Sequence, residues 1–395
     1  MKMRNFILLM MATAFSTLAL AVPAFATSQM QVVVDDDKVE CPNAGFTHIQ
    51  DAVNAASPGA SIRICKGTYM EQVTINKPLE VHADSGAIVM PSTMQQNSTS
   101  LFDAAPLAVA VLVTDAKGVF IEGLVVDGVN AGISQCSPIL FGVAFQNSSG
   151  TIEQVTVRNF RLAANLAGCQ SGSGIFVQSG GGTISQVSIG QCTIHDFQKN
   201  GITANEVGTE VSIDGNVVTG IGPTTGAAQN GIQIGFGAAG SISGNTVTNS
   251  VWSPCTAVSS CQAVATNILV TQSDGVTVMG NTVGINQVGI FVDGNQAELD
   301  GNETFLSGVF DGIRLVGNQA RVRRNSVFNG SEAGIFVSGN NNVIERNTVT
   351  EAAIGILKAS GSSGNLIRNN VVFGAPVTVQ DPSEAKLVRV ISPLR

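Results

Sequence analysis

Charged residues are scarce in this chain of 395 residues, and histidine, tryptophan and tyrosine are scarcer still. Asp, Glu, Lys and Arg make up 12% of the sequence, against 44% hydrophobic residues, and there are three histidines, one tryptophan and one tyrosine. A chain with so much apolar surface and so little charge cannot stay disordered, so it must bury a large core. The formal net charge of −8 disfavours nucleic acid and anionic membrane surfaces as partners.

Long apolar runs are confined to the N-terminus. Lys2 and Arg4 precede an apolar run over residues 6–22, and Ala24-Phe25-Ala26 forms a small-x-small cleavage site. This pattern predicts a signal peptide over residues 1–26. An uncleaved membrane anchor is the alternative, which the cleavage site opposes. We expect an exported protein, periplasmic or extracellular, without membrane contact after signal cleavage.

Seven cysteines in an exported chain indicate disulfides. Proximity in the sequence pairs Cys41 with Cys65, Cys136 with Cys169 and Cys255 with Cys261. Cys192 is left over, and its place in the repeat described next predicts a buried small hydrophobic residue and not a nucleophile.

Two short patterns recur along the chain, and toward the C-terminus both return about every 22 residues, which is typical of solenoids. Within each repeat, apolar residues alternate over short runs broken by Gly and Asn, which favours strands. Strands this short must stack in parallel on the next coil, about 4.8 Å away. The first pattern, Gly-[Ile/Val]-x-[apolar], starts at Gly142, Gly174, Gly201, Gly231, Gly289, Gly312, Gly334 and Gly355, with Asn267 filling one gap. The second, Asn-x-Val, starts at Asn216, Asn245, Asn281, Asn302, Asn325, Asn347 and Asn370.

The repeats predict an all-β fold: a right-handed parallel β-helix, a single-stranded solenoid of about ten or more coils over residues 27–395. Stacked asparagines would form a hydrogen-bonded ladder along its axis, and upstream we place Leu124, Phe160 and Cys192 in the same column. Residues 27–100 would form an N-terminal cap and the first coils, and residues 374–395 a C-terminal cap.

A short helix is predicted near the N-terminus, where it would cover the open end of the solenoid. Thr47 and Gln50 match a capping box. The helix would bury one apolar face, formed by Ile49, Ala52, Val53 and Ala56.

The stretch GTYMEQVTI, residues 67–75, resembles the opening of pectin methylesterases, and the coils that follow are similar to those of the pectin-lyase-like superfamily. The resemblance implies the β-helix fold. It implies no single activity, because the superfamily includes lyases, hydrolases, esterases, epimerases and non-enzymatic proteins. The catalytic motifs of the methylesterases, the polygalacturonases and the alginate epimerases are absent. Copper delivery, suggested by similar repeats in some periplasmic proteins, lacks support because His48, His82 and His195 show no ligand spacing.

Loop lengths predict a candidate site. Most connections from the asparagine column to the next Gly-Ile strand are long in the first half of the chain, but the one after Cys192 is short, so long loops should wall a notch there. The notch would hold His195, Asp196 and Lys199 as catalytic residues, as base, carboxylate and cation for elimination or hydrolysis of a sugar polymer. A solvated polar turn is the alternative interpretation.

Other side chains could bind the sugar. Candidates for substrate binding, as polar groups or aromatic platforms, are Asn200, Thr203, Gln229, Asn230, Gln233, Trp252, Phe291 and Phe336. A second candidate patch consists of Asp293, Asp311, Arg314 and Glu332, with Asp311 and Glu332 within about 6 Å of each other. An ordinary ion-paired surface is the alternative.

These observations lead to a functional expectation. The protein would bind or cleave extracellular polysaccharide along a loop-walled face, as a lyase or a hydrolase and as a monomer. A non-catalytic surface, adhesion or structural solenoid is the alternative. No metal site is predicted, although a polyuronate lyase with this negative charge would need a cation such as calcium.

Overall fold

A computed structural model describes residues 31–129 and 131–375, together with the backbone of two later strands, Val377–Val379 and Val388–Ile391. The predicted signal peptide, residues 1–26, lies outside the described residues, as does much of the predicted C-terminal cap. None of the helices in the described part of the chain is long and apolar enough to cross a membrane.

The chain winds through three parallel sheets, and each coil adds one short strand to each sheet in turn. This is the predicted right-handed parallel β-helix. The first sheet contains Val32–Val34, Ala60–Ile64, Leu79–Ala83, Lys117–Glu122, Ser149–Glu153, Ser185–Gly190, Thr209–Asp214, Ala239–Ser243, Thr277–Met279, Glu298–Asp300, Arg321–Arg323, Val343–Glu345 and Leu366–Arg368. The second contains Gly67–Tyr69, Ala87–Val89, Val125–Asp127, Thr156–Arg158, Thr193–His195, Val217–Thr224, Thr246–Trp252, Thr282–Asn286, Glu303–Ser307, Ser326–Gly330, Thr348–Thr350, Asn370–Phe373 and Val388–Ile391.

The third sheet carries the Gly-Ile strands and, on its outer face, a groove that is called the main groove below. It contains Val73–Ile75, Pro106–Thr114, Ile139–Gln146, Ser173–Gln178, Asn200–Asn205, Asn230–Gly235, Thr266–Thr271, Val288–Asp293, Ile313–Val316, Ile335–Ser338, Ile354–Lys358 and Val377–Val379. A short strand, Ser98–Thr99, pairs antiparallel with the start of Pro106–Thr114. Two 3₁₀ turns, Ala164–Leu166 and Val258–Ser260, lie in the connections between the second and third sheets.

Packing inside the coil explains why glycine recurs at one position of the third sheet. A Cβ atom on Gly231 would stand 2.3 Å from Cγ1 of Val247, and one on Gly201 would stand 2.4 Å from Cγ1 of Val218. Both valines belong to Asn-x-Val steps of the second sheet. The two repeated patterns are therefore one packing unit, in which a valine fills the space that the missing glycine side chain leaves.

The predicted asparagine ladder is confirmed. Asn216 donates from Nδ2 to Oδ1 of Asn245 at 2.9 Å, and the same bond recurs from coil to coil as far as Asn370. Upstream, Cys192 precedes Asn216 in the column, but Phe160 does not belong to it. Val155 takes that place, because Thr156 pairs with Thr193. Phe160 is instead a buried core residue of the following loop.

The N-terminal helix, Ile49–Ala55, is confirmed, and its predicted apolar face is buried. The capping box is wrong. His48 is the N-cap residue and makes no side-chain capping bond. Glu71, from a different segment, accepts hydrogen bonds from the backbone amides of Ile49 at 2.7 Å and Gln50 at 3.0 Å. A carboxylate at this position also suits the positive end of the helix dipole.

The three predicted disulfides are present: Cys41–Cys65, Cys136–Cys169 and Cys255–Cys261. Such bonds indicate an oxidising compartment. Cys192 is free and buried, as predicted.

Candidate functional site

A groove of about 600 Å³ crosses the outer face of the third sheet. Its floor comes from the outward-facing side chains of adjacent strands, from Pro106–Thr114 to Asn230–Gly235. The lining residues are Ser100, Phe102, Asp103, Leu107, Ile139, Phe141, Gln170, Ser173, Phe176, Gln178, Lys199, Asn200, Thr203, Asn205, Glu206, Gln233, Phe236 and Gln272.

One wall of the main groove is a segment that sequence reasoning missed. Residues 98–104 fold back over the ends of the sheet strands, where two glutamines hold them. Gln146 donates from Nε2 to the carbonyl of Thr99 at 2.9 Å, and Oε1 of Gln178 accepts from the amide of Leu101 at 2.9 Å. Gln146 and Gln178 occupy equivalent places in neighbouring strands. Because buried amides require hydrogen-bond partners, these two glutamines are the sequence signal that a further segment packs against the strand ends.

Aromatic rings line both the floor and the rim of the main groove. On the floor, the rings of Phe141 and Phe176 stack with centroids 4.6 Å apart. At the rim, Phe102 is 75% exposed and Phe236 is 43% exposed. Exposed aromatic rings beside a groove can cover the apolar face of a ligand.

Next to the aromatic floor lies a row of bonded amides. Asn230 donates to Oδ1 of Asn200 at 3.2 Å, and Asn200 donates to the hydroxyl of Thr203 at 2.9 Å. Gln233 accepts from both asparagines and donates to Oδ1 of Asn205 at 2.9 Å. The strand register places Asn200 beside Asn230 and Thr203 beside Gln233. Of these four predicted substrate-binding residues, Asn200, Thr203 and Gln233 line the groove, together with Asn205, which was not predicted. Such a row offers both donors and acceptors in fixed positions.

Three ionisable groups in the main groove have shifted pKa values, and that of Asp103 is lowered by hydrogen bonds from Ser100 and from the amide of Ala105. Burial lowers the pKa of the Lys199 amine, whose Nζ donates to the carbonyl of Ala228 at 2.7 Å. Burial, and then the negative charge of Asp103, raise the pKa of Glu206. An amine with a lowered pKa and a carboxyl with a raised pKa are shifted in the directions that favour proton transfer near neutral pH.

His195 and Asp196 do not share this groove with Lys199. They lie with Arg161 in a separate depression beside the second sheet, where His195 Nδ1 is 2.7 Å from Asp196 Oδ2 and Arg161 is 3.6 Å from Asp196 Oδ1. The predicted notch is thus divided.

Gln198 divides it. Its buried side chain donates to the carbonyls of Leu166 at 2.9 Å and Cys169 at 3.0 Å and accepts from the amide of Leu162 at 2.9 Å. These bonds bring the loop of residues 159–172 against the turn between His195 and Lys199. A loop predicted to stand beside the notch therefore packs onto it.

Two other predicted substrate-binding residues, Gln229 and Trp252, form contacts within the protein itself. Gln229 is fully buried, and its side chain accepts from the amide of Ile221 and donates to the carbonyl of Phe197, so both of its polar atoms have partners within the fold. Trp252 is half-buried in a small apolar cluster with Phe310, and its indole donates to the carbonyl of Gly226 at 2.8 Å.

The second predicted patch forms an ion-paired cluster further along the third sheet. Arg314 donates to Asp311 at 2.7 Å and to Glu332 at 2.5 Å, and its guanidinium lies 4.2 Å from the centroid of the Phe336 ring. Burial raises the pKa of Asp311 to about 7, although Arg314 acts against that shift.

The remaining members of that patch stand at its edge. Phe291 is in register with Arg314 on the neighbouring strand and packs against the Trp252 cluster. Asp293 takes no part in the ion pairs of Arg314 that the described residues form. The structure thus brings together Asp311, Arg314, Glu332 and Phe336 but leaves Asp293 outside.

Comparison with known proteins identifies a family and a fold. The family model described as "Periplasmic copper-binding protein (NosD)" matches residues 186–386. No curated protein matches the sequence. The chain is similar to the lacto-N-biosidase of glycoside hydrolase family 136 from Eubacterium ramulus, with 14% identity and a TM-score of 0.57 over 92% of this chain and 67% of that one.

Two other solved structures share the architecture. The Dettilon tailspike protein is 16% identical, with a TM-score of 0.57 over 87% of this chain and 64% of its own. A mannuronic acid specific polysaccharide lyase of family 6 from human gut microbiota is 12% identical, with a TM-score of 0.55 over 91% and 83%. At these identities the likeness shows the β-helix fold alone.

The family description raises the question of copper. Imidazole and thiolate are its usual protein ligands. The three histidines lie on different elements, each beside its own carboxylate, and burial raises the pKa of the Cys192 thiol to about 12. Of the groups of three or more potential ligands in the described ranges, the one with cysteines uses Cys41 and Cys65, which are joined in a disulfide. The described residues therefore do not fit a copper site built from imidazole and thiolate.

Proposed function

We propose that this chain, which belongs to the NosD family of β-helix proteins, is an exported protein that binds polysaccharide in the main groove. The carrying observation is the combination of exposed rings at the rim, Phe102 and Phe236, with the amide row on the floor. Residues 27–395 would form one exported domain after removal of residues 1–26.

The groove suits a sugar chain for a physical reason. Sugar rings present apolar C–H faces, which aromatic side chains cover, and hydroxyl groups, which amides bind as donors or acceptors. The amides of Asn200, Asn230 and Gln233 already bond to one another, so their orientations are set before a ligand arrives. Five adjacent strands line the groove, which corresponds to about 19 Å across the coils.

The charges in the groove favour a neutral or weakly charged polymer. Asp103 and Glu206 lie in it with a single cation, Lys199. A carboxylate on every sugar would meet two acids there, and like charges disfavour such a complex. The acidic chain as a whole acts in the same direction.

Cleavage is a second candidate function, which the shifted pKa values of Lys199 and Glu206 favour. In this proposal Lys199 and Glu206 exchange protons with the sugar, one as base and the other as acid. His195 and Asp196 would then lie outside the reacting groups, and their pair beside Arg161 would have a surface role.

A binding panel tests the proposal. The mature protein is run against neutral and acidic polysaccharides by affinity electrophoresis, beside the double variant Phe102→Ala/Phe236→Ala. Phe328→Ala is the matched control, because Phe328 is 40% exposed but belongs to the second sheet. We expect retarded migration on a neutral polymer, lost in the double variant and kept in the control. Absence of binding to every polymer would favour a structural solenoid instead.

The same polymers then test cleavage. Reducing ends and the ultraviolet absorbance of unsaturated products are followed with the wild type, Lys199→Met and Glu206→Gln. Products that both substitutions abolish, with binding retained, would support the proton-transfer roles. Binding without any product would restrict the function to recognition.

A further inference from the structure

Three carboxylates converge at the N-terminal end of the solenoid, and none of them belongs to the residues that line the main groove. Asp35, Asp37 and Glu40 each offer one oxygen, and these oxygens lie within 4.8 Å of one another. They follow the first strand, Val32–Val34, in the stretch VDDDKVEC. Oxygens on opposite sides of a calcium ion stand about 4.8 Å apart, since Ca–O distances are roughly 2.4 Å.

Asp35 is the unusual member of this acidic cluster. Its side chain is 0% exposed. Oδ2 accepts a hydrogen bond from the amide of Cys41, but Oδ1 has no hydrogen-bond partner among the described residues. A buried carboxylate is costly unless it is paired or coordinates a metal. The unpartnered oxygen is therefore an observation in favour of a cation, independent of the clustering itself.

The local fold holds the three carboxylates in place. Lys38 adopts a left-handed conformation with φ 61°, which turns the chain between Asp37 and Glu40. The Cys41–Cys65 disulfide ties the end of this turn to the first coil.

The neighbouring charges leave the cluster acidic. Asp36 points to a different partner, the amide of Thr68, at 2.9 Å. Lys66 lies 3.9 Å from Glu40 and forms an ion pair with it. Asp37 and Glu40 are exposed, so an ion can reach the cluster from solvent. Asp35 is buried and forms the inner side of the cluster.

We propose that Asp35, Asp37 and Glu40 bind a calcium ion that fastens the N-terminal turn to the first coil. Carboxylate oxygens are hard ligands, which suit calcium and do not select copper. The site is distinct from the proposed polysaccharide groove, and its occupancy would stabilise the capped end of the solenoid by binding the folded state alone.

Terbium luminescence offers a direct test, because Tb³⁺ replaces calcium at oxygen sites and can be excited through a nearby tyrosine. Tyr69 is the one tyrosine of the chain, and its hydroxyl donates to the carbonyl of Val34, the neighbour of Asp35, at 3.2 Å. The full-length mature protein, freed of metal with EDTA, is titrated with Tb³⁺ and then with Ca²⁺, and its melting temperature is measured with and without Ca²⁺. The variants are Asp37→Asn and Glu40→Gln, with Asp51→Asn as the control at an exposed acid outside the cluster.

We expect tyrosine-excited Tb³⁺ emission that Ca²⁺ displaces, and a higher melting temperature in Ca²⁺, for the wild type and for Asp51→Asn. Asp37→Asn and Glu40→Gln should bind Tb³⁺ at least about tenfold more weakly and lose the response to Ca²⁺, while melting near the wild type in EDTA. Emission that Ca²⁺ does not displace, no emission from the folded wild type, or unchanged affinity in both variants would overturn the proposal. Polysaccharide binding is measured separately, so either proposal can fail without the other.

Discussion

Arg314 donates to Oδ2 of Asp311 at 2.7 Å, while Oδ1 of the same carboxylate has no hydrogen-bond partner within the described ranges. The Asp311 carboxylate is therefore only half satisfied, and it is fully buried, whereas the Arg314 side chain is 18% exposed. Burial outweighs the attraction of Arg314, so the pKa of Asp311 rises from 3.8 to about 7, and Glu332 adds to the rise. The cluster is a place where protein stability should depend on pH.

The direction of that dependence follows from proton linkage. Between pH 4 and 7, folded Asp311 holds a proton that the unfolded chain has released, so the free energy of unfolding falls as the pH rises. We expect a loss on the order of a few kcal/mol across this window from Asp311. Asp311→Asn, which stays neutral, should flatten the curve measured by urea denaturation at pH 5 and 8. Asp274→Asn, at an exposed acid, should leave it unchanged, and an equal slope in Asp311→Asn would contradict the assignment.

The asparagine ladder should be a major source of stability. In Asn302→Ala, the carbonyl of Val278 loses its side-chain donor and the amide of Asn281 its acceptor. We expect a loss of about 1–3 kcal/mol in the free energy of unfolding, because buried groups would be left unsatisfied. Urea denaturation measures it. Asn340→Ala is the control, because Asn340 bonds the exposed Ser363, where water can replace the lost partner; an equally large loss there would contradict this account.

The glycine and valine columns predict a rescue experiment. Gly231→Ala should destabilise the protein by about 1–3 kcal/mol, since its Cβ would stand 2.3 Å from Cγ1 of Val247. Adding Val247→Ala should recover part of the lost stability, because the smaller side chain leaves space for the new Cβ. Gly168→Ala should be neutral, because nothing lies within 4 Å of its Cβ. Thermal unfolding of these four proteins and of Val247→Ala alone distinguishes packing from a general glycine effect, and additive losses of stability in the double variant would contradict the packing account.

Cys192 should be unreactive in the folded protein. It is 1% exposed, its Sγ lies 3.2 Å from the carbonyl of Gly190, and burial raises its pKa to about 12. Thiolate is the reactive form, so a thiol reagent should label no cysteine in native conditions and one in guanidinium without reductant. If the native protein were labelled as fast as the protein in guanidinium, Cys192 would be accessible and the prediction would be wrong.

The fold was largely predictable because the solenoid repeats its own local rules. The Gly-Ile and Asn-x-Val patterns, the period near 22 residues and the pairing of nearby cysteines depend on contacts between adjacent coils. The predictions for Phe160 and Thr47 are wrong, because at both places the contact that decides the structure involves an irregular loop or a distant segment. An irregular connection shifts the register, so Val155 and not Phe160 takes the place in the column. The capping role that the sequence predicts for Thr47 belongs to Glu71, which comes from another segment.

The candidate site was harder to predict for the same reason. His195, Asp196 and Lys199 are neighbours in the sequence, but the turn between the second and third sheets sends them to different faces, and Gln198 anchors a loop between them. The segment of residues 98–104 reaches the groove by folding back over strands that come later in the chain. Loop positions of this kind depend on single side-chain contacts, which carry no period.

The solenoid can be read from the repeats, which specify which residues face inward, which asparagines stack and where glycine is required, because each coil packs in the same way as the next. The groove, the separation of Lys199 from His195, and the convergence of Asp35, Asp37 and Glu40 are visible in the folded chain alone. These depend on how irregular loops and turns bring distant residues together, and side-chain contacts across the folded chain, not local propensity, set their positions.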